Sequence, residues 1–127
     1  MAHKIAIVDI VEDEQAISQM YRIKFEAEGY EVFTADNGVH GLELIEHHKP
    51  DVVLLDIMMP EMTGDIMLQK LRATDWGKDV KVIVLTNTSQ EEAMKKVQEL
   101  GVSDFIIKAQ STPHQVLEVV KRVLGHN

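Results

Sequence analysis

The chain has 127 residues, of which 45% are hydrophobic and 27% are charged, a balance typical of one globular domain rather than a disordered chain. Its formal net charge of −8 disfavours nucleic acid and anionic lipid as partners, because both are polyanions. The lack of cysteine excludes disulfides and thiolate metal sites, and no apolar run approaches the roughly 20 residues that span a bilayer. We therefore expect a cytoplasmic protein that binds neither nucleic acid nor a membrane.

Short apolar runs and helix-like segments alternate along the chain. The runs have the continuous apolar character of strands buried on both faces, and between them apolar residues recur every three or four positions. The predicted strands are 4–11, 30–35, 51–56, 80–86 and 104–108. The predicted helices lie within 12–29, 39–50, 65–73, 89–101 and 112–125. These five strand–helix units predict one α/β domain over residues 1–127: a doubly wound, flavodoxin-like parallel sheet of order 2-1-3-4-5 with helices on both faces.

Helix-capping residues support two of these boundaries. Ser89 and Glu92 have the spacing of a capping box at the start of the fourth helix. Thr112 and Gln115 repeat that spacing at the start of the fifth helix, where Pro113 occupies the first helical position. We therefore expect both helices to begin with a side chain bonded to the backbone.

Polar side chains follow four of the predicted strands. In a parallel sheet the carboxyl ends of the strands lie on one edge, where ligands bind, so these side chains should converge. Crowded carboxylates with a single lysine indicate a divalent cation, and oxygen ligands favour Mg²⁺ or Ca²⁺. An ionised carboxylate beside Mg²⁺ can also attack phosphorus, while a hydroxyl and an ammonium hold the transferred phosphoryl group. The residues of this predicted site are Glu12, Asp13, Asp56, Thr86 and Lys108.

Four segments, in this order, resemble the receiver domain of two-component response regulators: "VEDE" (11–14), "DVVLLDIMMPEMTG" (51–64), "VIVLT" (82–86) and "DFIIK" (104–108). The resemblance covers essentially the whole chain. It implies a phosphorylation-dependent signalling switch that binds Mg²⁺ and takes its phosphoryl group from a histidine kinase. It also implies an unidentified output protein, which would bind near residues 87–98 and 105–110. The only catalysis implied is self-phosphorylation and autodephosphorylation.

The same resemblance assigns roles to individual residues. Asp56 would be the phosphoacceptor and Asp13 a metal ligand, with Glu12 close to the metal through water. The carbonyl of Met58 would be a further ligand. The remaining roles are a switch hydroxyl, a switch aromatic and a phosphate-binding cation: Thr86, Phe105 and Lys108.

Three positions depart from the family pattern. Asn87 replaces the small residue that usually follows the switch hydroxyl, which would slow phosphotransfer. Ala109 follows Lys108 in place of proline, so we expect a trans peptide bond there. Asp9 interrupts the first strand, because "KIAIVD" and "IVEDE" each look like a family first strand, laid end to end.

The first strand therefore has two possible registers. If the strand ends at Val11, Glu12 and Asp13 reach the site, and Asp9 lies inside the strand, where it must protonate or find a partner. If it ends at Val8, Asp9 becomes the first acid and a bulge follows. We favour the first register. A first strand that is strained, or exchanged between chains, remains open, and we otherwise expect a monomer or weak dimer.

Three other functions are compatible with parts of this pattern. A small Mg²⁺-dependent phosphohydrolase could use Asp56 as its nucleophile, but Met58 stands where its acid–base partner would be. A receiver-like scaffold, natural or engineered, would keep the residues but not switch. A flavin site is disfavoured, because the loops after the first and third strands are acidic. Since the chain stops soon after its fifth helix, we expect no output domain within this sequence, and either a protein that acts alone by binding a partner or a piece of a longer one.

Overall fold

The computed structural model describes residues 5–87 and 91–126, without the side chains of residues 91–93. Its strands are β1 (Ile7–Val11), β2 (Glu31–Ala35), β3 (Val52–Asp56), β4 (Val82–Thr86) and β5 (Asp104–Ile107). Its helices are α1 (Gln15–Ala27), α2 (Gly38–His48), α3 (Gly64–Arg72), α4 (Glu91–Glu99) and α5 (Pro113–Leu124). All strand pairs are parallel, in the order β2-β1-β3-β4-β5. The predicted fold and strand order are confirmed.

Helices cover both faces of the sheet. One core cluster packs β1, β3 and β4 against α1 and α5, through residues such as Ile10, Phe25 and Val120. The other packs alternate residues of the same strands against α2, α3 and α4, with Ile45 and Leu71 at its centre. Every residue of β3 and β4 is buried, as the continuous apolar runs predict.

The strand ends differ slightly from the prediction. Lys108 was predicted to end the fifth strand, but it begins a short 3₁₀ helix, Lys108–Gln110, that leads toward α5. The peptide bond between Lys108 and Ala109 is trans, as expected. Because the chain turns directly after Ile107, the lysine lies at the strand edge rather than within the ladder.

The first strand adopts the favoured register. It ends at Val11, and Asp9 is its middle residue. Asp9 pairs in register with Phe33 of β2 and Val53 of β3, and it is completely buried. Neither of its carboxylate oxygens has a hydrogen-bond partner within the described part of the chain. Burial alone raises the pKa of Asp9 to about 7, so protonation is the outcome that the structure favours.

Capping residues define two helix starts. The Asn37 side chain accepts a hydrogen bond from the backbone N–H of His40 at 2.9 Å. Thr112 and Gln115 form the predicted reciprocal capping box, with Pro113 in the first turn of α5. The capping box predicted at Ser89 and Glu92 lies outside the described residues and side chains.

Arg72, at the end of α3, bonds to three backbone carbonyls. Its Nε donates to the carbonyl of Leu100 at 2.9 Å, and its two terminal nitrogens donate to the carbonyls of Gly77 and Gly101 at 2.8 and 2.6 Å. Two of these carbonyls lie just beyond the C-terminal end of α4. The guanidinium therefore fixes that end of α4 to α3. Over the described ranges, no helix is long and apolar enough to cross a bilayer.

Candidate functional site

The carboxyl edge of the sheet brings the predicted acidic residues together. Asp56 is the last residue of β3, and Glu12 and Asp13 directly follow β1, its neighbour in the sheet. One carboxylate oxygen from each of these three residues lies within 4.8 Å of the others. Glu12 and Asp56 are buried, at 1% and 3% exposure, while Asp13 is half-buried. The predicted convergence of the three acids is therefore present.

Lys108 lies between two of these carboxylates. Its Nζ is 3.2 Å from Oδ2 of Asp56 and forms a direct ion pair with Oε1 of Glu12. The lysine side chain is only 7% exposed. Sequence reasoning placed Glu12 near a metal through water and did not anticipate this ion pair. The Lys108 ammonium thus lies against two buried carboxylates, Glu12 and Asp56.

The buried charges alter the protonation of the site. Burial raises the pKa of Glu12 to about 7, and its hydrogen bond with Asp56 adds to the rise, while Lys108 opposes it. Burial also raises the pKa of Asp56. Burial lowers the pKa of Lys108, but Glu12 and Asp56 outweigh it and the net shift is upward. Glu12 and Asp56 therefore both hold a proton more tightly than free carboxyls do, and Lys108 opposes that effect.

The backbone beyond β3 orients the Asp56 carboxylate. The N–H of Met58 donates to Oδ1 of Asp56 at 3.1 Å, so one oxygen is held by the backbone and the other lies beside Lys108. Met58 itself is 51% exposed, whereas Met59 is buried and Met62 half-buried. The metal role of the Met58 carbonyl stays a prediction.

Gly64 allows α3 to begin directly against β3, and sequence reasoning missed it. A Cβ on Gly64 would lie 2.3 Å from the carbonyl oxygen of Asp56 and 2.7 Å from Cα of Ile57. The Gly64 N–H donates to the Ile57 carbonyl at 2.8 Å, which closes the loop after Asp56. The sequence signal for this close packing was a glycine directly before the predicted third helix, in the short segment after the third strand.

The predicted switch residues lie on neighbouring strands. Thr86 is the fully buried last residue of β4 and pairs with Ile107, the residue before Lys108. Phe105 is half-buried in β5, pairs with Val84, and packs against the core cluster beneath α4. Thr86 therefore ends β4 and Lys108 directly follows β5, its neighbour, and their switching and phosphate-binding roles stay predictions.

The acidic cluster has the donor set of a hard divalent cation. Its three members offer only oxygen atoms, which Mg²⁺ and Ca²⁺ prefer. The residues present therefore fit the expected Mg²⁺. The histidines of the second helix are elsewhere: the His48 ring stacks on Phe33, with ring centroids 3.7 Å apart.

Comparison with known proteins agrees with this arrangement. Residues 8–121 match the response regulator receiver domain family. The chain belongs to this family. It is a receiver domain of two-component signalling, a class of phosphorylation-dependent switches, and the resemblance inferred from its four sequence segments is confirmed.

Individual relatives cover nearly the full receiver. The polar-differentiation response regulator DivK of Brucella anthropi is 32% identical over 118 residues, which is 93% of this chain and 95% of that protein. The chemotaxis response regulator CheY4 of Vibrio cholerae has 28% identity and a TM-score of 0.86, covering 94% of this chain and 99% of its own. A CheY-like receiver domain protein of Methanospirillum hungatei has 30% identity and a TM-score of 0.89, covering 96% and 95%.

Proposed function

We propose that this receiver accepts a phosphoryl group on Asp56 and that Mg²⁺, held by Asp13, Asp56, Glu12 and the carbonyl of Met58, is required. The observation that supports this most directly is the placement of Asp56. Its carboxylate has one oxygen beside the Lys108 ammonium and the other hydrogen-bonded to the Met58 N–H, at the centre of the acidic cluster.

The chemistry follows from these contacts. A carboxylate oxygen of Asp56 forms a bond to phosphorus while the bond between phosphorus and the donor's leaving group breaks. The attacking oxygen has no proton to lose, so no general base is needed. Bound Mg²⁺ would neutralise charge on the phosphoryl oxygens, and Lys108 and Thr86 would contact the remaining ones. The product is an aspartyl phosphate on the protein itself, so no free product is released beyond the leaving group.

Because of the Glu12–Lys108 ion pair, the electrostatics of the site would differ between the unphosphorylated and the phosphorylated protein. Before phosphorylation, Lys108 is shared between Glu12 and Asp56. A phosphoryl group on Asp56 brings more negative charge to the same place and would draw Lys108 and the Thr86 hydroxyl toward it. Thr86 ends β4 and Phe105 lies on β5, so repacking there would alter the surface around α4 and β5 that we assign to an output protein.

The partners proposed for this receiver are a histidine kinase, as phosphodonor, and an output protein bound near residues 87–98 and 105–110. By their names, two of the relatives described above are response regulators of polar differentiation and of chemotaxis. Their identities of 32% and 28% support the class of partner, not a particular partner. We place the protein in the cytoplasm with its kinase. Asn87 is exposed directly after Thr86, where its side chain would narrow the approach of the phosphodonor.

Intact-protein mass spectrometry tests the phosphoacceptor. The protein is incubated with acetyl phosphate, with and without Mg²⁺, and compared with Asp56→Asn and with Asp75→Asn, which changes an exposed aspartate remote from the cluster. We expect one phosphoryl adduct in the wild type and in Asp75→Asn, only with Mg²⁺, and none in Asp56→Asn. An adduct that persists in Asp56→Asn would refute the assignment. A folded wild type without any adduct would favour a scaffold that no longer switches.

A further inference from the structure

A buried carboxyl lies in the middle of β1, away from the acidic cluster. β1 runs between β2 and β3, and Asp9 is its third residue of five. The side chain is 0% exposed, and neither carboxylate oxygen has a hydrogen-bond partner within residues 5–87 and 91–126. The proposed function makes no use of this residue. An acidic side chain in such a position is costly when it is ionised.

The surroundings of Asp9 on its own face of the sheet are apolar. By strand alternation Asp9 shares a face with Val11, which packs with Ile45 of α2 and Val53 of β3. Its register partners across the sheet are Phe33 and Val53. None of these side chains can donate a hydrogen bond to a carboxylate.

The titratable groups nearby are exposed or bonded elsewhere, except for His48, whose ring stacks on Phe33. On β2, Glu31 is exposed and pairs with Ile7, and before β3 the Asp51 carboxylate accepts a hydrogen bond from the Ile7 N–H at 2.7 Å. On α2, His48 stacks on Phe33, and its Nδ1 is also buried without a partner. The remaining titratable residues of α2 are exposed: His40, Glu43, Glu46 and His47.

On the opposite face, α1 contributes Tyr21 and Phe25 to the other core cluster. The charged residues of α1 belong to that side, and Arg22 is paired with Glu26. Among residues 5–87 and 91–126, no cation forms an ion pair with Asp9, and burial is the cause of its raised pKa.

We propose that Asp9 is a pH sensor built into β1: its protonated form is accommodated in the sheet, whereas its ionised form weakens the pairing of β1 with β2 and β3. Among the strands that the structure describes, β2 pairs only with β1, so its place in the sheet depends on β1. β1 also leads directly into Glu12 and Asp13. The effect on the phosphorylation site therefore rests on the proposed function, but the effect on strand stability does not.

The direction of the pH effect follows from proton binding. Burial raises the pKa of Asp9 from 3.8 to about 7, so the folded chain binds this proton more tightly than the unfolded chain. The stabilisation is complete below the unfolded-state pKa and is lost as pH rises through the folded-state pKa. Above that pH, Asp9 no longer makes the free energy of unfolding depend on pH. In the middle of this window each pH unit changes the folding equilibrium constant by about tenfold.

Urea unfolding at pH 5, 6, 7 and 8 tests the proposal without any phosphodonor. Wild type is compared with Asp9→Asn, Asp9→Val and the exposed control Asp75→Asn. Glu12 and Asp56 are present in all four proteins, so their titration cancels in the differences. Between pH 5 and 8 we expect the folding equilibrium constant of wild type and Asp75→Asn to fall about 100-fold relative to both Asp9 variants. Parallel pH profiles for wild type and Asp9→Asn would overturn the proposal.

A second measurement does not depend on how the variants fold. The carboxyl ¹³C resonance of Asp9 in the wild-type protein should titrate with a midpoint near 7, and backbone amides of β1 and β2 should exchange faster at pH 8 than at pH 6 after correction for intrinsic rates. A midpoint near 4 would overturn the proposal. If the midpoint lies near 4 while Asp56 still forms a normal phosphoryl adduct, the pH sensor is rejected and the proposed function stands.

Discussion

The Nζ of Lys108 lies 3.2 Å from Oδ2 of Asp56, and both side chains are almost completely buried. The two residues follow different strands, and they meet only because parallel strands end on one edge of the sheet. The contact places a fixed positive charge beside the oxygen that would carry a phosphoryl group. It also keeps two buried acids from being left without a counter-charge.

Removal of the Lys108 ammonium should slow phosphorylation. We expect Lys108→Ala to lower the rate of adduct formation from acetyl phosphate by about 100-fold, the usual effect of deleting one electrostatic contact to a transition state. The control is Lys121→Ala, which deletes an equally long cation from α5, where its Nζ lies 3.2 Å from Oε1 of Glu28 at the surface. Equal rates for wild type and Lys108→Ala, measured by mass spectrometry, would argue against a role for this lysine.

Binding of Mg²⁺ should strengthen as pH rises. Burial raises the pKa of Glu12 to about 7, so below this pH a cation must displace the Glu12 proton before it can bind with full affinity. In an Asp9→Asn background, which removes the other buried carboxyl whose pKa is raised to about 7, we expect the affinity to rise about tenfold from pH 6 to pH 8 and then level off.

This pH dependence is measured by titrating Mg²⁺ against the amide resonance of Asp13. Glu12→Gln in the same background should flatten the dependence, because no proton remains to be displaced. An affinity that stays constant from pH 6 to 8 before Glu12 is changed would mean that Glu12 is already ionised in the folded protein.

Two glycines should respond differently to an added methyl group. At Gly64 the new Cβ would meet main-chain atoms of Asp56 and Ile57, which cannot move without displacing the site. At Gly38 it would meet the end of the flexible Met62 side chain, at 2.7 Å from its sulfur. We expect Gly64→Ala to lower the free energy of unfolding by about 3 kcal/mol and Gly38→Ala by about 1 kcal/mol. Urea unfolding gives both values. A larger loss for Gly38→Ala than for Gly64→Ala would show that the backbone after β3 can shift to accept the added methyl group.

The capping box of α5 should contribute measurably to stability. The Thr112 hydroxyl accepts from the Gln115 N–H at 3.1 Å, and Thr112 is exposed, so its replacement costs little buried surface. Thr112→Ala should lower the free energy of unfolding by about 1 kcal/mol. Ser111→Ala, one position outside the box, should change it by only a few tenths of that amount. Similar losses in both variants would indicate that the cap is not what stabilises the helix start.

Much of the fold could be predicted from the sequence because its signals are local. The apolar runs of β3 and β4 are buried on both faces, and such continuous runs are typical of strands in a covered parallel sheet. Once the strands were located, the convergence of Glu12, Asp56 and Lys108 followed from the geometry of parallel strands. The register of β1 was also decidable, because only one alignment brings two acids to the site.

The remaining contacts depend on side-chain geometry that spacing does not encode. The ion pair between Glu12 and Lys108 requires two particular rotamers, and the carbonyls bound by Arg72 leave no trace in residue identity. The end of β5 was predicted one residue too late, because the apolar run passes into Lys108 without a turn residue. Burial of the middle of β1 was foreseen, but the absence of a partner for Asp9 required the structure.

The bonds from Arg72 to the carbonyls of Leu100 and Gly101 hold the C-terminal end of α4, so any tilt of the helix would turn about that end. The nine-residue helix is about 14 Å long at 1.5 Å per residue, so a tilt of about 10° about its anchored end displaces the opposite end by about 2 Å. The displacement caused by such a tilt would therefore be largest at Glu91 and smallest at Glu99. A partner bound to the first turn of α4 would therefore respond to such a tilt, whereas a partner bound to the last turn would not.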